Sequence, residues 1–283
     1  MRNLLCLCLA LCLLSLPACA TEPNANVPPS SDSASETWKL VWSDEFDTDG
    51  LPNPKSWSYD THANAGGWYN DEEQYYAASR LENSRIENGA LIITARKEQL
   101  TDMDDYGGQD YSSARLITAG KAAFQYGRVE ARIWLPCGRG LWPAFWMLPE
   151  GDFKWPDDGE IDIMEYVGHD KNRVHAAIHT KAHNHIDGTS KGGKMKLKPA
   201  CGTWHIHSLD WSKDRLIVSV DGQPYFKFKR GSGKKDRWPF DAPFHVVLNI
   251  AVGGGWGGQK GIDDSVFPAQ MQVDYVRIYQ RPS

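Results

Sequence analysis

The sequence predicts an all-β domain built as a sandwich of two antiparallel sheets. From Trp38 onward, short strand-like runs are separated by clusters of Gly, Pro, Asn and Asp. Several runs alternate apolar and polar residues, the period of a half-buried strand, and almost none keeps a helical period. One run leads into Asp221-Gly222, a turn of the kind that closes a hairpin. In chain order the first run, 90–95, is Ala-Leu-Ile-Ile-Thr-Ala, with the β-branched content of a strand. In 127–135, Val129, Ala131 and Ile133 alternate with Arg128, Glu130 and Arg132, so one face is apolar and the other charged. The run 159–165 alternates acids with isoleucines, and in 174–179 His175 and His179 fall on one face. Runs 204–211, 216–220 and 225–229 follow across short connections, with Val218 and Val220 ahead of Asp221-Gly222, as expected of hairpins packed in a two-sheet sandwich. Runs 244–252 and 271–279 complete the set, and no internal repeat is visible.

The chain has 283 residues, 41% of them hydrophobic, enough for one large core once the N-terminus is set aside. A net charge of −5 gives no electrostatic reason to expect a nucleic acid partner, and a monomer is expected. Residues 1–18 carry Arg2 and then the apolar stretch from Leu4 to Leu16, too short to span a bilayer, which marks a signal peptide and therefore export. The stretch ends Leu16-Pro17-Ala18-Cys19, similar to a bacterial lipobox, which implies lipidation of Cys19 and anchoring to a membrane. Ala20 resembles the residue that follows the lipidated cysteine in lipoproteins sorted to an outer membrane. An ordinary secretory cleavage after Ala18-Cys19-Ala20, giving a periplasmic or secreted protein, is the alternative. Residues 19–36, rich in Pro, Ser, Asn and Ala, read as a disordered tether to a domain over 37–283. Cys137 and Cys201 remain in that domain. Export favours a disulfide between them, with two separate buried thiols as the alternative.

The segment Gly159-Glu160-Ile161-Asp162-Ile163-Met164-Glu165 places three carboxylates within six residues, around two isoleucines suited to a core. Read as a regular strand, period 2 puts Glu160 and Asp162 on one face but Glu165 on the other, with Ile161 and Ile163, where it would be buried. A one-residue bulge near Met164 resets the alternation and returns Glu165 to the face of Glu160 and Asp162. The Cα atoms of Glu160 and Glu165 would then lie about 13 Å apart, at about 3.3 Å per residue. Side chains leaning together to about 5 to 5.5 Å would match a retaining glycosidase, one attacking the anomeric carbon and the other protonating the leaving oxygen. Asp162 between them would hold a proton or hydrogen bond that keeps their pKa values apart. On these residues alone, an exposed acidic strand with ordinary solvation is the alternative.

The segment resembles the E-x-D-x-x-E strand of glycoside hydrolase family 16, which carries nucleophile, assisting aspartate and acid/base in that order. The resemblance extends from Trp38 to Tyr279, through Trp42-Ser43-Asp44-Glu45-Phe46, Gln74-Tyr75-Tyr76, Tyr111-Ser112-Ser113-Ala114-Arg115-Leu116, Gly140-Leu141-Trp142-Pro143-Ala144-Phe145-Trp146-Met147-Leu148-Pro149 and Val273-Asp274-Tyr275-Val276-Arg277-Ile278-Tyr279. The extra Met164 is similar to the bulged form of laminarinases, agarases and carrageenases, and the run from Trp142 to Pro149 is most like laminarinases. The resemblance implies a jelly roll with a concave substrate cleft, Glu160 as nucleophile, Asp162 as assistant and Glu165 as acid/base. It also implies retaining endo-hydrolysis of β-1,3-glucan, of laminarin type or with mixed β-1,3-1,4 linkages. Two positions depart from the pattern: Glu73 where an apolar residue is usual, and Gly257 after Trp256 where proline is common.

Twelve tryptophans suggest flat platforms for sugar rings, and Trp142, Trp146 and Trp256 are the candidates. Trp256 lies in the run Gly253-Gly254-Gly255-Trp256-Gly257-Gly258, where a core tryptophan would be poorly supported, whereas core positions remain the alternative for Trp142 and Trp146. The resemblance implies that Arg85, Asn70 and Glu72 hydrogen-bond glucose hydroxyls, with ordinary surface positions as the alternative. His175, His179, His183, His185, His205 and His207 show no zinc-site spacing, and His179 is expected in the cleft near the acid/base. No cofactor is expected for catalysis. The family resemblance implies a structural calcium held at Glu45, Gly89 and Asp274, joining the N- and C-terminal strands, with a hydrogen-bonded Asp274 and no ion as the alternative. The lysine-rich stretches 191–198 and 227–235 read as solvated loops, or as contacts to an anionic polysaccharide. Two other functions compete: the same chemistry on agarose or a carrageenan, and a non-catalytic β-glucan-binding protein. The presence of Glu160, Asp162 and Glu165 together favours an enzyme.

Overall fold

Along Gly127–Trp134, Val129, Ala131 and Ile133 are wholly buried while Arg128, Glu130 and Arg132 are half-exposed, so period 2 becomes one face against a core and one toward solvent. The same logic repeats through the computed structural model, which describes residues 38–282. The signal peptide and tether expected over 1–36 lie outside the described residues. Two single-turn 3-10 segments, Tyr69–Asp71 and Asp264–Val266, are the helical elements among the described residues.

The strands form two facing sheets. The ten-stranded sheet runs Gln223–Lys229, Arg215–Val220, Trp204–Ser212, Gly127–Trp134, Ala269–Gln280, Ala90–Lys97, Tyr111–Ser113 and Gln74–Tyr76, with Lys39–Asp44 and Ser84–Glu87 as side pairings. The eight-stranded sheet runs Lys191–Lys196, Arg173–His179, Glu160–Glu165, Leu141–Pro149, Phe244–Val252, Arg115–Ile117 and Ser58–Tyr59, with Ala123–Phe124 beside Phe244–Val252. Pairing is antiparallel as expected, except that Gln74–Tyr76 runs parallel to Tyr111–Ser113. Between the sheets, Val129, Ala131, Ile133, Val273 and Leu209 meet Phe145, Met147, Ile161, Leu248 and Ile250, all wholly buried. Phe244–Val252 is buried along its whole length because its outer face lies under side chains of the cleft.

Cys137 and Cys201 are joined by a disulfide with Cα atoms 5.4 Å apart. It ties the ends of Gly127–Trp134 and Trp204–Ser212, which are neighbours in the ten-stranded sheet. The lysine-rich stretch 191–198 departs from its expected form as a loop. Lys191–Lys196 is an edge strand paired with Arg173–His179. Its lysines leave the alternation without an apolar face, yet charged side chains suit a sheet edge because they discourage pairing with another chain.

Candidate active site

Glu160–Glu165 lies between Leu141–Pro149 and Arg173–His179. Against the first, Phe145 faces Met164 and Trp146 faces Asp162, so Ile163 is an extra residue. Against the second, Asp162 faces Ala177 and Glu165 faces His175, again with one residue too many on the acidic strand. Ile163 and Met164 are consecutive yet both wholly buried in the core, an orientation that regular alternation forbids and a bulge supplies. Glu165 thereby returns to the outer face, where it and Glu160 line a cleft of about 660 Å³. Gly159 leads into the strand with φ at 101°, and a Cβ there would come within 2.8 Å of Pro239 Cγ, so no side chain fits ahead of Glu160.

The three carboxylates have distinct surroundings. The indole N–H of Trp155 donates to Glu160 Oε2 at 2.7 Å. Asp162 is buried between the glutamates; loss of hydration, then the charge and hydrogen bond of Glu160, push its pKa well above the usual carboxylate range. His179 Nε2 lies 3.3 Å from Asp162 Oδ2, near but not aligned as a hydrogen bond, and 3.7 Å from Glu160 Oε1. Glu165 is also held well above its ordinary range, first by burial and then by the charge of Asp162, against the opposing effects of His179 and of Trp142 Nε1, which donates to Glu165 Oε1 at 3.1 Å. Each glutamate thus accepts one indole N–H, and the pKa of Glu165 is raised mainly by burial.

Two walls flank these groups. At the Glu165 end, the Trp256 ring meets Trp142 edge-on at 5.2 Å and His175 at 5.0 Å. At the Glu160 end, Trp155 packs against His179 at 5.7 Å and His185 at 5.2 Å. Asn70 lines the cleft, and its carbonyl accepts from Gly255 N at 2.7 Å, which joins the 69–72 loop to the glycine-rich loop. Glu72 accepts from Gln74 Nε2 at 3.0 Å, and burial raises its pKa against the nearby Arg115 charge. Trp146 donates to Asn249 Oδ1 at 2.7 Å, while the Arg115 guanidinium covers one face of its ring at 4.7 Å.

Several expectations need correction. Arg85 is not brought to the cleft: it lies on Ser84–Glu87 in the ten-stranded sheet and pairs with Glu87 at 2.7 Å. The arginine among the tryptophans on the eight-stranded sheet is Arg115, buried, paired with Asp60 at 2.9 Å and stacked on Trp68 and Trp146. It lies within the Tyr111 to Leu116 motif, but the three-residue strand Arg115–Ile117 carries too little alternation to show its face. His179 lines the cleft with both glutamates, as expected; its strand partner is Glu160, and His175 is the partner of Glu165. Trp155, His185 and Asn249 were missed because their contacts depend on strand register and loop path. Trp155 is separated from Glu160 by only five positions, the one signal that was available. Of the calcium positions, Glu45 accepts from Arg277 with both carboxylate oxygens, at 2.9 and 2.7 Å, and Asp274 Oδ2 accepts from Arg132 at 2.8 Å. Glu45 therefore has no carboxylate oxygen facing away from a guanidinium. Of the two departures, Glu73 is exposed beside Gly253, and Gly257 backs onto Trp142.

Comparison with known proteins agrees with this arrangement. The sequence profile of "Glycosyl hydrolases family 16" matches residues 71–277. A beta-glucanase of Rhodothermus marinus is 49% identical over 252 residues, covering 86% of this chain and 85% of its own. The crystal structure of SCLam, described as a non-specific endo-beta-1,3(4)-glucanase of family GH16, superposes with a TM-score of 0.84 at 54% identity, covering 87% of this chain and 92% of that one. The laminarinase from Rhodothermus marinus gives a TM-score of 0.81 at 48% identity, covering 87% and 99%. With a bulged strand carrying the three carboxylates and the profile spanning most of the sandwich, this chain belongs to glycosyl hydrolase family 16.

Proposed function

We propose that the protein is an endo-acting, retaining hydrolase of β-1,3-glucan, of laminarinase type and able to accept mixed β-1,3-1,4 linkages. The observation that carries the reading is the bulge, which puts Glu160, Asp162 and Glu165 on one face in unequal surroundings. In the first step Glu160 attacks the anomeric carbon as Glu165 gives its proton to the departing glycosidic oxygen, leaving a covalent glycosyl-enzyme. In the second, Glu165 takes a proton from water, which attacks the same carbon and releases Glu160. Asp162 keeps a proton next to Glu160 and donates a hydrogen bond to it, stronger while Glu160 is charged and weaker once it carries the sugar. Trp142, Trp256 and Trp146 supply ring faces and edges for glucose units, and Asn70, Glu72 and His179 supply polar contacts. Laminarin is the substrate to test. Glu160→Ala should abolish turnover in a folded protein and be rescued by azide to the inverted glycosyl azide. Glu165→Ala should be rescued to the retained azide. Rescue to the same anomer in both variants would reject these roles.

Two further proposals concern how the domain is held. Cys19 is lipidated and anchors the chain to an outer membrane through residues 20–36. An unmodified mature N-terminus at Thr21, by mass spectrometry, would reject it. The second is a structural calcium at Glu45, Gly89 and Asp274, which would tie the N- and C-terminal strands; Arg277 holds the Glu45 carboxylate and Arg132 one oxygen of Asp274, so the ion would compete with those pairs. A melting temperature unmoved by a calcium chelator would count against that ion.

A further inference from the structure

Tyr225 reaches the catalytic bulge from the opposite sheet. It lies on Gln223–Lys229, the edge of the ten-stranded sheet, and that edge meets Lys191–Lys196, the edge of the eight-stranded sheet, at Gly193. The approach is close enough that a Cβ on Gly193 would fall 2.8 Å from Tyr225 O and 2.8 Å from Phe226 Cβ. The Tyr225 hydroxyl lies 3.2 Å from the carbonyl oxygen of Ile163 and 3.2 Å from that of His175, sharing its proton between them. Ile163 is the residue that the bulge adds, and His175 is the residue that faces Glu165. A bulge leaves its extra residue out of the strand ladder, and a buried carbonyl without a donor is destabilising. The hydroxyl therefore bridges the two strands where their own ladder is broken. Burial, with the charges of Glu165 and Asp162 adding to it, pushes the Tyr225 phenol far above its ordinary range, so it stays a donor.

We propose that Tyr225 is a positioning residue for the acid/base: its hydroxyl holds the bulge in the form that turns Glu165 onto the face of Glu160. The inference rests on the double-displacement reading above. Tyr225→Phe removes the hydroxyl and little else. With Glu165 misplaced, both steps that use it should slow, but kcat/KM reports the first, in which Glu165 gives its proton to the leaving oxygen. On laminarin, kcat/KM should fall about five- to tenfold, the scale of one hydrogen bond. On dinitrophenyl β-laminaribioside, whose leaving group departs without protonation, it should fall less than about twofold. Equal losses on the two substrates, or no loss on laminarin, overturn the proposal. Tyr225→Met, which also lacks the hydroxyl but packs more adaptably, repeats the test if the phenylalanine variant does not fold. Glu165→Ala is run in parallel. If it too loses both activities equally, the acid/base assignment fails; if it spares the aryl substrate and Tyr225→Phe does not, only the role of Tyr225 fails.

Discussion

Glu165 shows how one side chain is set by several neighbours. Burial and Asp162 raise its pKa, whereas the Trp142 N–H bond favours its charged form. Because the acid must hold a proton, kcat/KM should fall as pH rises through that raised pKa, placing the basic limb above the ordinary glutamate range. Trp142→Phe removes a bond to the charged form, so the basic limb should move to higher pH; an unmoved limb or one moved down would contradict this. Asp162→Asn should cost less activity than loss of either glutamate, since it removes no covalent or proton-transfer group. His207 gives a prediction about stability. It is wholly buried with neither ring nitrogen hydrogen-bonded, and burial lowers its pKa to about 3. Unfolding therefore binds a proton between the ordinary histidine pKa and that value, so stability is full above about pH 6.5 and falls by up to about 1.4 kcal/mol per pH unit below it. His175 and His245, also lowered mainly by burial, act in the same direction. His207→Leu should flatten the acid limb of a melting-temperature profile measured between about pH 6.5 and 4; an unchanged slope would contradict the assignment. The three carboxylates were legible because one misplaced acid in a period-2 pattern demands a bulge. The partner of each acid was not, since a sequence does not state strand register: His179 lines the cleft as expected, but its cross-strand partner is Glu160 and that of Glu165 is His175.

Among the elements, those with clean alternation were legible, such as Gly127–Trp134 and the hairpin of Arg215–Val220 with Gln223–Lys229. Leu141–Pro149 appeared only as a motif, because Trp, Pro and Phe on both faces blur any period. Lys191–Lys196 reads as a loop in the sequence because an edge strand needs no apolar face. Yet it borders the cleft through Gly192, Gly193 and Lys194. The disulfide acts at this scale. It closes a loop of 64 positions, for which chain entropy gives a stabilisation of about 4 kcal/mol. Reduction, or Cys137→Ala with Cys201→Ala, should lower the unfolding free energy by a large part of that amount in denaturant titrations. A midpoint unchanged by reductant would show that the crosslink adds little to the paired strands it joins.

For the whole molecule, the sandwich separates two tasks. Its core fixes strand positions, while the outer face of the eight-stranded sheet carries acids and tryptophans along a cleft suited to a polymer. The fold class could be read from runs and turns, but the placement of Arg85 could not, because a lone charged residue on a strand does not reveal which sheet the strand joins. Arg115 should prove the more sensitive position: Arg115→Ala leaves the half-buried Asp60 with only His62 beside it and uncovers Trp146, and should raise KM for laminarin at least about tenfold, whereas Arg85→Ala should stay within about twofold. The direct test of the mechanism is the stereochemistry of its product. Proton NMR of laminarin during the first minutes of digestion should show new reducing ends as the β-anomer, with the α-anomer growing only by mutarotation. An α-anomer formed first would mean a single displacement and would contradict Glu160 as the nucleophile.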